Sequence, residues 1–66
     1  NMDINIHKVK KIEMSKTRLV SDFYVRDITF HSLEYSFEQG DYVKVENKIT
    51  LFLNEKESAK VQYAKA

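Results

Sequence analysis

A small, mainly β domain, either all-β or α+β, is what this sequence predicts, and three observations predict it. β-branched residues are abundant, with five Ile, six Val and three Thr; together with four Phe and four Tyr they suit the pleated, half-buried surface of a sheet. One glycine and no proline leave little local punctuation, so element boundaries must be read from the period of the apolar pattern. The stretch from Tyr42 to Leu53 alternates strongly: Val43, Val45, Ile49, Leu51 and Leu53 share one phase, while Lys44, Glu46, Lys48 and Thr50 share the other. The expected architecture is an antiparallel sheet of about four or five strands, barrel- or sandwich-like, ending in a C-terminal strand or a short helix.

The first strand is expected from about Met2 to Met14, with Ile4, Ile6, Ile12 and Met14 in one phase. Lys8 and Lys10 fall in that same phase, and a strand in strict register would bury both, so a bulge or bend between His7 and Lys10 is expected to turn them outward. Ser15 to Arg18 is a polar break. The pattern resumes at Leu19, with Phe23 and Val25 in phase, and then steps twice, at Arg26–Asp27 before Ile28 and Phe30, and at His31–Ser32 before Leu33, Tyr35 and Phe37. Each step predicts a bulge or a turn. Glu38-Gln39-Gly40-Asp41 is the clearest turn, because Gly40 takes positive φ without a Cβ clash. Asn47 interrupts the apolar phase of the next run, so Glu46-Asn47-Lys48 reads either as a turn or as the middle of one long strand. In the tail, Asn54 and Glu57 resemble a capping box and support a short helix, whereas Ala59, Val61 and Tyr63 alternate and support a final strand.

The 66 residues make room for one domain, 2–66, with Asn1 before Met2 reading as the remnant of a cleaved tag. So short a chain buries only about 60% of the surface it exposes when unfolded. Disulfides cannot compensate, since there is no Cys, and His7 and His31 are too few for a structural zinc site. No metal or cofactor is therefore expected, and self-association into a homo-oligomer is. The missing cysteines fit a reducing compartment, which points to a cytoplasmic location. The apolar stretch Leu51 to Leu53 is far below the roughly 18 residues of a membrane span, and the N-terminus has no apolar signal segment, so no membrane role is expected.

A net charge of +1 argues against a strongly basic nucleic-acid binder. The charge is unevenly spread, +3 over residues 1–20, −4 over 21–46 and +2 over 47–66, which suits cross-strand pairing within one sheet. Motifs for chemistry are weak. Gly40 alone cannot build a phosphate-cradling loop. His31 and Ser32 are neighbours on a strand and point to opposite faces, so they make no nucleophile–base pair, and His31 reads as a partly exposed strand-edge residue. No catalytic residues are assigned and the chain reads as a non-enzyme.

One constellation carries a functional reading. With the aliphatic phase inward, Tyr42, Lys44, Lys48 and Phe52 face outward, and if Phe23 and Val25 also face inward, Tyr24 and Arg26 join them. Lys8, Lys10 and Lys11 form a basic cluster that would extend this surface. The first expectation is an interaction module that binds a protein partner, itself included, through this aromatic face or a free edge. The second is a single-stranded nucleic-acid binder, with rings stacking on bases and cations tracking phosphates.

Overall fold

The structure is a computed structural model that describes residues 2–56 and 60–65. Its strands are β1 (Val9–Met14), β2 (Arg18–Val20), β3 (Phe23–Ser36) and β4 (Asp41–Leu53). All pairing is antiparallel and centres on β3. β4 runs the full length of one side, from Tyr24↔Leu53 to Ser36↔Asp41, without a break in register. β1 and β2 share the other side, β1 opposite Ile28–Ser32 and β2 opposite Phe23–Val25. The sheet does not close into a barrel.

Local chemistry explains the boundaries. The register of β1 shifts between Val9 and Lys11, and Lys8 has φ 56°, so the expected bulge is present and takes the lysines out of strict alternation. β2 and β3 are joined by the two-residue turn Ser21–Asp22, where Ser21 has φ 55°. Both primed hairpin turns need positive φ at that first position. Gly40, at φ 67°, closes the β3–β4 hairpin and donates its N–H to the Ser36 carbonyl at 2.8 Å. Asn47 lies mid-strand opposite Phe30, so no turn divides β4.

Several expectations are corrected. The apolar steps along β3 are neither bulges nor turns, because β3 is continuous over 14 residues. What switches is the face that is apolar. Ile28 and Phe30 point to one side, Val25, Leu33 and Tyr35 to the other, and the backbone never leaves the ladder. The sheet is a single layer rather than a barrel or sandwich. The tail forms neither helix nor strand over residues 60–65; Glu57 and Ala59, on which the two readings of the tail partly rested, lie outside the described residues.

Opposed residues of antiparallel strands share a face, which sorts the side chains into two sets. An aliphatic face carries Val9, Ile12, Met14, Leu19, Ile28 and Phe30 from β1 to β3 and the Val43-to-Leu53 phase of β4. Ile4 and Ile6 lie against part of it, lining a cavity of about 260 Å³ with Val9, Ile12, Phe30 and Ile49. The cover is partial: Ile12 stays 64% exposed, and away from it Leu19 is 63% exposed. Among the described residues, Val25 is the buried hydrophobic side chain, and the buried polar ones are Asp27 and Ser32.

The second face is mixed, with aromatic ends and a polar middle. At one end Phe23 meets Phe52 edge-on at 5.9 Å, and Val25 is paired with Phe52 across the sheet. In the middle, the Asp27 carboxylate accepts from Thr50 Oγ1 at 2.7 Å and pairs with Arg18. The Asp27 N–H donates to Ser15 Oγ at 2.8 Å, and the Ser15 N–H returns to the Asp27 carbonyl at 2.9 Å. This knot ties the β1–β2 connection, β2 and β4 to one residue of the central strand.

Candidate functional site

The residues singled out from the sequence do not form one surface. Tyr42, Lys44, Lys48 and Phe52 share the mixed face as expected, but Tyr24 and Arg26 lie on the aliphatic face, opposite Leu53 and Leu51. Placing Phe23 and Val25 in the aliphatic set caused the error. The register pairs Val25 with Phe52, so Val25 belongs with the outer aromatics. Ile28 and Phe30, in phase with Tyr24, lie on the aliphatic face opposite Ile49 and Asn47.

Phe52 and Tyr42 are also far apart. They lie ten positions apart along one strand, about 33 Å. Phe52 belongs to the end that holds Phe23. Tyr42 belongs to a second aromatic cluster, with Tyr35 at 5.4 Å and Phe37 stacked edge-on against Tyr35 at 5.1 Å. The Lys8 ammonium sits over the Tyr42 ring, 5.1 Å from its centroid. Lys10, Lys11 and Lys44 line one open groove of about 540 Å³ together with His31, Leu33 and Glu46. The basic cluster thus joins the Tyr42 end alone.

Between the aromatic ends, His31 occupies the centre of the sheet and not its edge. Its Nε2 bonds the Glu13 carboxylate from β1, and its Nδ1 lies 3.4 Å from Glu46 of β4. Lys11 stands 3.6 Å from the same Glu13 oxygen. The hydrogen bond from His31, aided by Lys11, holds the Glu13 carboxyl below its ordinary value. Asp27 is lowered likewise, first by the Thr50 hydroxyl and then by Arg18. Asp27 is engaged with these partners and makes no contact with His31. Sequence reading missed the Glu13–His31–Glu46 row because it depends on register, which no local pattern reveals.

Beside these clusters lie the part of the aliphatic face that Ile4 and Ile6 do not reach and the outer edges of the sheet, since β1, β2 and β4 each pair with β3 alone among the described residues. No helix of the described residues is long and apolar enough to cross a membrane. No family model, curated protein or solved structure matches the chain.

Proposed function

We propose that the chain is a non-enzymatic interaction module that associates with protein, itself included, through its uncovered sheet. One observation carries this reading: the fold is a single layer with an open aliphatic side. Its accessible surface is 6297 Å², about 1,900 Å² more than the roughly 4,400 Å² of a compact monomer of 7.8 kDa. Its radius of gyration is 15.2 Å, against about 11 Å for a compact chain of this length. Irregular termini account for part of the excess. The sheet accounts for part too, with Ile12, Leu19 and Met14 standing in water. A stable interface takes about 800 Å² from each partner, so the surplus is ample for one.

Sedimentation of the wild type beside an Ile12→Lys, Leu19→Lys double variant tests the reading. Both side chains are exposed in the single chain, so folding changes by only about 0.5 kcal/mol at each site, whereas an assembly built on this face dissociates. A wild type that stays monomeric at micromolar concentration defeats self-association. Unchanged assembly in the double variant removes the aliphatic face from the contact.

A second reading, binding of a single-stranded nucleic acid, is favoured by one feature, the meeting of Lys8 with Tyr42 beside the groove of Lys10, Lys11 and Lys44. Rings and cations of this kind serve sequence-tolerant binding. Counterion release requires such binding to weaken steeply with salt. An oligonucleotide titration that shows no binding at about 50 mM salt ends this reading.

A further inference from the structure

The two edges of the sheet are built differently. The β1/β2 edge is interrupted at Ser15–Thr17, bulged between Val9 and Lys11, and flanked by three lysines, the devices that discourage strand addition. The β4 edge carries Lys44 and Lys48 but is neither interrupted nor bulged: it is extended over 13 residues in unbroken register.

We infer that this edge pairs with the β4 edge of a second copy, antiparallel, in the register that places Asn47 opposite Asn47. The inference rests on the self-association reading above but places the contact at the β4 edge, which lies across β3 from Ile12 and Leu19. Asn47 is the midpoint of Asp41–Leu53, so this register overlaps the two strands completely. It sets Glu46 opposite Lys48 twice, once on each side of the two-fold axis. Tyr42 then meets Phe52, Lys44 meets Thr50, Val45 meets Ile49, and Val43 meets Leu51. Glu46 is opposed to Lys48, ring to ring and aliphatic group to aliphatic group, pairings of the kind that stabilise antiparallel sheets; Lys44–Thr50 and the terminal Asp41–Leu53 pair add no such match. Moving the centre by one residue destroys this match. Centred on Glu46, the pairing opposes Glu46 to itself and Lys44 to Lys48; centred on Lys48, it opposes two lysines. The pairing is isologous and closes as a dimer, with the blunted β1/β2 edges outermost. It also makes the two aliphatic faces continuous.

Disulfide trapping tests the register, because the chain has no cysteine of its own. Directly opposed Cα atoms in an antiparallel pair lie about 4.5–5.5 Å apart, within disulfide reach. Asn47→Cys is expected to form a covalent dimer on mild oxidation. Glu46→Cys and Lys48→Cys are expected not to cross-link with themselves, because each would be offset from its own mate by about 7 Å along the strand. Mixed together they cross-link with each other. Glu46→Lys alone is expected to weaken the dimer roughly tenfold, and adding Lys48→Glu restores it.

A wild type that is monomeric by sedimentation overturns both this inference and the self-association reading. An assembled wild type without the Asn47→Cys cross-link, and without one in the mixture, overturns the register and leaves the reading standing. Self-cross-linking by all three single cysteines indicates another pairing and also overturns it.

Discussion

The central strand has unlike neighbours. On one side β4 is a single regular ladder, paired with β3 at every position from Asp41 to Leu53. On the other, β1 and β2 are short, and Ser15–Thr17 between them pairs with no strand. The polar network lies where the ladder fails. Ser15 exchanges two hydrogen bonds with Asp27, its carbonyl accepts from Arg26 Nε at 3.1 Å, and Asp27 holds Arg18 of β2. Side-chain bonds thus supplement sparse backbone pairing on the β1/β2 side, while repeated backbone bonds run the length of the β4 side. A side held by a few specific groups breaks when one is removed. A side held by many equivalent bonds does not.

The largest expected effect follows from removing the hub of that network. Asp27→Ala leaves Arg18 and Thr50 without their shared carboxylate, while Ser15 keeps its two bonds to the Asp27 backbone, and hydrogen exchange is expected to show β2 losing protection well before β4. Equal loss on both sides breaks the comparison. Acid should act through the same groups. The carboxyls of Asp27 and Glu13 titrate below their ordinary values of 3.8 and 4.5, so their contribution is complete above those values and is lost as pH falls through the lowered ones. The thermal midpoint is expected to be level above about pH 5 and to fall below about pH 4, with β1 and β2 loosening first.

Val25→Ala should cost about 2 kcal/mol in urea unfolding, since Val25 is 1% exposed and its deletion leaves a hole beneath Phe52. The two hairpins provide the smallest and sharpest pair. Gly40→Ala puts a Cβ on a backbone at φ 67° where nothing lies within 4 Å of it, so only the conformational cost of about 1 kcal/mol is expected. Ser21→Gly relieves the same cost at φ 55° and should stabilise by about 0.5 kcal/mol. Opposite signs in the two melts would confirm that strain sits on the β2 side and has been removed on the β4 side.

Much of this was legible in the residues. The alternation from Val43 to Leu53 located β4 and its two faces, Gly40 located the hairpin, and the misplaced Lys8 and Lys10 announced the bulge. The candidate site was less legible. The alternation places Tyr42, Lys44, Lys48 and Phe52 on one face, as the structure does, but it does not place Tyr24 and Arg26, because the phase of β3 relative to β4 is a property of their pairing. The aromatic partners of the assigned residues, Phe23, Tyr35 and Phe37, went unnoticed for the same reason.

What the sequence determined alone was local: which segments extend, where the chain turns, and which side chains alternate, since steric preference and periodicity act within a few residues. Only the tertiary structure decided which strands pair and in what register. That choice put Asp27 among Arg18, Ser15 and Thr50, set His31 between two carboxylates, and left the sheet a single open layer. The reason is physical: register is selected by contacts between residues distant in sequence, and a shift of one residue would exchange the two faces entirely.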